Sequence, residues 1–337
     1  MNADPDPVLQ SAEWMAHRYD RMGDAIQFRQ VPRARHAEIP FLTDEYLEGA
    51  PMERRARQAA VAAAQPGSLH FLFHSAFCAS TMLVRALDLP GKAMGLSEPV
   101  LLNDIVGVRR RREADNAGIA QLTGEALRLL ARPFSPGETI VVKPSNIFNP
   151  LAALALALRP ESKAILLYAP LEPFLLSVAR KGLWCRLWAR ELMAGFFRDG
   201  VTDIGFDADD YFLQTDLQIA ASGWLIQQRI FTDLAMRYPD RIVTLDSETL
   251  TSDVEALLPV IAAVYGLDTG GIDWSRTSAI GRNSKTGDPF SPGERQADQL
   301  NALAAHRDEI DKVTQWATTV AEQQQIGLNL PLPITAE

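Results

Sequence analysis

Apolar positions in this chain fall into two spacings, and the switch between them marks its most informative segment. Leu69, Phe71, Leu72 and Phe73 form a short apolar run, which predicts a buried strand, and Met82 to Leu87 follow a helical period. Between them Ser75, Ala76, Cys78, Ala79, Ser80 and Thr81 predict a tight polar loop, small enough for backbone amides to approach a ligand closely. Four further short apolar runs predict strands: Lys92 to Leu96, Glu138 to Val142, Lys163 to Tyr168 and Arg241 to Leu245. A helical pattern separates each from the next, the signature of a parallel sheet wrapped by helices. Residues 1–65 carry short helical patterns and end in an Ala/Arg helix over Met52 to Ala64, which predicts an N-terminal helical extension. The expected organisation is that extension, an α/β domain over 66–295, and a C-terminal helix and tail over 296–337 packed on it.

Composition narrows the function classes. The 337 residues, 47% of them hydrophobic, suffice for one large α/β domain or two smaller ones. A formal charge of −9 argues against a nucleic-acid-binding surface, which needs a basic face. The apolar stretch Leu151 to Leu158 stops at Arg159-Pro160, too short for a membrane span, and Met1 to Gln10 has neither a basic region nor an apolar signal core. A cytoplasmic protein is expected. Cys78 and Cys185 show no metal-ligand spacing, so no metal is expected.

Ligands of such sheets bind beyond the C-terminal ends of the strands. The residues there are His74 to Thr81, Glu98, Lys143, Ser145, Asn146, Ser177 and Glu248. A nucleotide-hydrolysing P-loop needs a Lys before its Ser/Thr, but Ala79 precedes Ser80-Thr81, so the loop suits holding a phosphate or sulfate better than cleaving one. Glu98 is a candidate general base, with a structural carboxylate as the equal alternative. His74 is the rival base, against a core histidine bonded to a carbonyl. Lys143 is a candidate cation for stabilising developing charge.

In their order along the chain these motifs resemble the sulfotransferase family that uses 3′-phosphoadenosine 5′-phosphosulfate, a relative of the P-loop fold. The resemblance runs from about Leu69 to Pro292 and implies a P-loop-type three-layer α/β/α sandwich with a central five-stranded, mostly parallel sheet. Phe73 to Leu83 is similar to the family's 5′-phosphosulfate loop, with Ser75, Cys78, Ala79, Ser80 and Thr81 as donor-binding positions and Phe77 where the family has a basic residue. Ser97-Glu98-Pro99 is similar to the Glu-Pro element of bacterial members, whose Glu activates the acceptor hydroxyl. Val142-Lys143-Pro144-Ser145 is similar to the family's Lys-Thr-His element, with Ser145 in place of its His. After the fourth strand Ser177 matches the serine of the 3′-phosphate element, and Ala169 replaces its arginine, with Arg180 or Lys181 as the compensating cation. Arg282, Gly287 and Asp288 resemble the loop that folds over the nucleotide, with Lys285 an extra cation there. The resemblance implies sulfuryl transfer from 3′-phosphoadenosine 5′-phosphosulfate, without metal, to a hydroxyl or amine of a small-molecule or carbohydrate acceptor. Glu98, Lys143 and His74 are its catalytic candidates. Two alternatives stand beside it: a catalytically degenerate nucleotide-binding or regulatory protein on the same fold, and an atypical P-loop kinase or hydrolase.

Overall fold

The computed structural model describes residues 6–274 and 292–334. In chain order the first elements are α1 (Pro7–Gln10), β1 (Trp14–Asp20), β2 (Ala25–Gln30), α2 (Arg33–His36), β3 (Met52–Ala56) and α3 (Arg57–Ala63). Then come β4 (Leu69–His74), α4 (Ser80–Ala86), β5 (Ala93–Ser97), α5 (Val100–Arg110), α6 (Asn116–Leu130) and β6 (Thr139–Lys143). A 3₁₀ turn over Asn146–Leu151 leads to α7 (Ala152–Leu158), β7 (Ala164–Tyr168), α8 (Leu171–Arg180) and α9 (Gly182–Asp199). The chain continues through α10 (Ala208–Leu213), α11 (Asp216–Arg237), β8 (Ile242–Asp246), α12 (Ser247–Ser252), α13 (Val254–Val264) and α14 (Pro292–Gln323).

The fold is α/β, with a central five-stranded parallel sheet in the order β5-β6-β4-β7-β8. Strands β4 and β7 are buried at every residue, β5 and β6 at all but one, and the edge strand β8 at all but two. A strand covered on both faces has no polar side to show, so it reads as an apolar run without alternation.

The chain divides into two compact units. One comprises the described parts of Met1–Leu72, Thr81–Ala164 and Ala262–Asp273. Here β1, β2 and β3 form an antiparallel sheet, which corrects the expected helical extension. In β2 the buried Ile26 and Phe28 alternate with the less buried Gln27 and Arg29, a period-two pattern that the short helical readings missed. The expected helix over 52–64 is strand until Ala56, because Met52 to Ala56 pair with β2 and that pairing overrides the helix propensity of Arg and Ala. Arg132 fastens this segment by donating to the carbonyls of Val8, Leu9, Ser11 and Trp14. Gly95 in β5 is required by close approach, since a Cβ there would lie 2.3 Å from the Val84 carbonyl oxygen.

The other unit comprises Phe73–Ser80, Ile165–Ile261 and the described parts of Trp274–Glu337. Its axis is α11, opened by a capping box between Thr215 and Gln218 and packed against α8, α9 and α14. The C-terminal tail pairs alongside β8, with the Thr244 N–H donating to the Leu332 carbonyl (2.9 Å) and the Ile334 N–H to the Thr244 carbonyl (2.8 Å). No described helix is long and apolar enough to cross a membrane.

Candidate functional site

In the first unit the ends of neighbouring strands β5 and β6 bring two candidates together. Ser97 and Lys143 stand opposite each other in register, and the chain turns at Glu98 through a left-handed φ of 50°. The Glu98 N–H donates to the Lys143 carbonyl at 2.7 Å, and its Oε1 accepts from the Lys143 Nζ at 2.5 Å. A non-glycine residue in this region costs about 1–3 kcal/mol, and here these contacts hold it. The Lys143 side chain is 0% exposed and the Glu98 side chain 24%. The carboxylate is therefore the member of the pair that solvent reaches, while the ammonium is enclosed. Phe41 completes the enclosure, its ring centroid 5.4 Å from Nζ. Its loop is pinned by the Leu42 N–H to the Ser97 carbonyl (2.8 Å) and the Val100 N–H to the Leu42 carbonyl (3.2 Å). Ser145, next to the pair in sequence, is half-buried at the start of the 3₁₀ turn.

The second unit holds the loop after β4. Ala76, Phe77 and Ala79 all have left-handed backbones, with φ of 74°, 53° and 61°. Clamps to β7 and α11 maintain that path. The Ser75 N–H donates to the Leu167 carbonyl (3.1 Å), its Oγ accepts from the Ala169 N–H (3.2 Å), and the Cys78 thiol points at the same Leu167 carbonyl (3.5 Å). Gln227 bonds the Ser75 carbonyl at the limit of reach, 3.5 Å. The His74 Nδ1 accepts the Ala76 N–H at 3.1 Å, so that lone pair holds the loop and the ring proton sits on Nε2. Ser75 and Cys78 are thus scaffold, wholly buried, and Ser80 and Thr81 are nearly so. Ala76, Phe77 and Ala79 form the part of the loop that solvent reaches. Three left-handed residues thus crowd into one short turn, whose Ala76 N–H is already given to His74.

At the two positions where the resemblance expects cations, the structure sets other surroundings. Ala169 is 0% exposed, and its carbonyl accepts the Trp224 indole N–H at 2.8 Å, so the indole occupies its surroundings. Phe77 lies 5.9 Å from the Phe174 ring and 5.1 Å from the Trp188 ring, and the Lys181 Nζ sits 4.7 Å above it. The structure thus brings Lys181 to Phe77. Ser177 is half-buried on α8, and Arg180 is exposed at its end. Arg282, Lys285, Gly287 and Asp288 lie outside the described residues. Sequence reasoning missed Phe41 and the placement of Lys181, because neither carries a local signal: only tertiary packing sets each beside its partner. Among the described residues no cluster of three or more His, Cys, Asp or Glu side chains is arranged to hold a metal.

No protein-family model and no curated protein matches this chain. Among solved structures it is similar to the sulfotransferase domain of the Synechococcus PCC 7002 olefin synthase, at 15% identity and a TM-score of 0.41, covering 72% of this chain and 96% of that one. It is also similar to the sulfotransferase domain from the curacin biosynthetic pathway, at 13% identity and a TM-score of 0.45, covering 80% of this chain and 100% of that one.

Proposed function

We propose that the chain is a sulfotransferase that moves a sulfuryl group from 3′-phosphoadenosine 5′-phosphosulfate to a hydroxyl or amine of a small-molecule or carbohydrate acceptor. The observation that carries this reading is the Glu98–Lys143 pair. A partly exposed carboxylate is held in a left-handed turn against a fully enclosed ammonium, at the strand ends where the motif resemblance sets the base and the cation. When bound, the donor supplies the sulfuryl group and an adenosine bisphosphate leaving group. Glu98 orients the acceptor hydroxyl and takes its proton, and Lys143 balances the carboxylate and opposes charge that develops during transfer. The backbone amides of residues 77–79 hold the anionic end of the donor, with Lys181 the nearby cation. His74 serves as the clamp of that loop.

The absence of a basic side chain at Phe77 and Ala169 favours a second reading, a nucleotide-binding or regulatory protein on the same fold. Calorimetry with adenosine 3′,5′-bisphosphate against ATP and GTP, with turnover of labelled donor over an acceptor panel, separates the readings. Tight bisphosphate binding with turnover lost in Glu98→Gln supports the enzyme. Binding without any turnover supports the regulatory protein, and magnesium-dependent ATP or GTP use supports a kinase or hydrolase.

A further inference from the structure

Helix α9 is apolar toward solvent at its start, and a second apolar cluster stands at its other end, with opposite charges beside the two. At the start Leu183, Trp184 and Leu187 are 69%, 66% and 51% exposed. Their spacing sets them on one face, away from the buried Cys185, Ala189 and Leu192. Exposed Arg180 and Lys181 directly precede them. At the far end the Phe197 ring meets Tyr211 edge-on at 4.9 Å, which fixes the short helix α10 there. On α10 Phe212 and Leu213 are 85% and 82% exposed, with exposed Asp209 and Asp210 just before them. Single exposed apolar side chains are ordinary on a protein surface, but two clusters of large ones marked by opposite charge form an interaction surface.

We propose that two copies of this chain associate through α9 and α10, with the α9 helices antiparallel about a two-fold axis. The 18 residues of α9 span about 27 Å. An axis crossing its midpoint exchanges its ends, so the basic, Trp184-bearing end of each copy meets the acidic Phe212–Leu213 knob of the other. The same contact then forms twice, as an isologous dimer requires. Charge selects this arrangement: a parallel pairing sets Arg180 and Lys181 against their own copies, whereas the antiparallel one sets them against Asp209 and Asp210.

Sedimentation equilibrium of the full chain over a concentration series tests the proposal, because the altered side chains are exposed and far-UV circular dichroism confirms that each variant folds. The wild type is expected to be a reversible dimer. Phe212→Ser with Leu213→Ser, and separately Leu183→Ser with Trp184→Ser, each weaken association by about tenfold or more. Asp209→Lys weakens it severalfold, and Arg180→Glu in the same chain restores it. A wild type that stays monomeric up to millimolar concentration overturns the proposal. So does a dimer indifferent to both serine pairs, or a charge exchange that restores nothing.

Discussion

Replacing Glu98 by Gln removes the carboxylate that balances an ammonium with no solvent access. Breaking a buried ion pair from one side costs about 3–5 kcal/mol, and the 24% exposure of the Glu98 side chain lets water compensate in part, so a loss of about 3 kcal/mol is expected. Lys143→Met leaves a carboxylate that water already reaches and sets an apolar chain against Phe41, which puts its cost at about 1–2 kcal/mol. The double variant removes both charges of the pair. It should lose only about 2 kcal/mol, and the cycle then reports a coupling of about 2 kcal/mol or more. Urea unfolding at pH 7 with unchanged m-values measures all four proteins. Additivity within about 0.5 kcal/mol would refute the reasoning, since it would mean that the two charges do not stabilise each other in the fold. The cycle also governs how turnover is read. Total stabilities of about 5–15 kcal/mol leave Glu98→Gln folded, so a rate loss of about a hundredfold in the folded variant is not due to unfolding and is the outcome expected of the proposed proton transfer.

Other expectations follow from single contacts. Burial holds the His70 imidazole down to about 4, so the ring is neutral in the fold and takes up a proton on unfolding below its ordinary value of 6.5. Its contribution is therefore complete above about pH 6.5 and is lost as pH falls toward 4, by about 3 kcal/mol at most; denaturant midpoints across that window should fall more steeply for wild type than for His70→Gln. Trp224→Phe leaves the buried Ala169 carbonyl without its indole donor and should cost about 1–3 kcal/mol in urea unfolding. Gly95→Ala sets a methyl against the Val84 carbonyl and should lower stability by about 1–3 kcal/mol, with an unchanged thermal midpoint counting against the close packing of β5 on α4.

What the sequence determined by itself was the set of central strands. Five apolar runs announced β4 to β8 because a strand buried on both faces must be apolar throughout. The boundaries of the last four moved by a residue at the start, where Lys92, Glu138, Lys163 and Arg241 lie just before the strands. Three of these also moved at the end, where Ser97, Lys143 and Asp246 extend the strands. At these ends Lys143 and Glu98 were legible as candidates, since function in such sheets collects at strand ends. Their partnership was not. Glu98 and Lys143 are far apart in the chain, and only the order that makes β6 the neighbour of β5 turns two separate residues into an ion pair. The N-terminal strands were hidden for a related reason: a short alternating segment beside Arg and Ala favours a helix locally, and cross-strand pairing overrules it. Tertiary structure likewise decided that Lys181 rests on Phe77 and that Trp224 fills the surroundings of Ala169. Local pattern sets which segments must be buried, because burial is a property of each segment's own side chains; which charges and rings then meet depends on strand order and helix packing, which no single segment encodes.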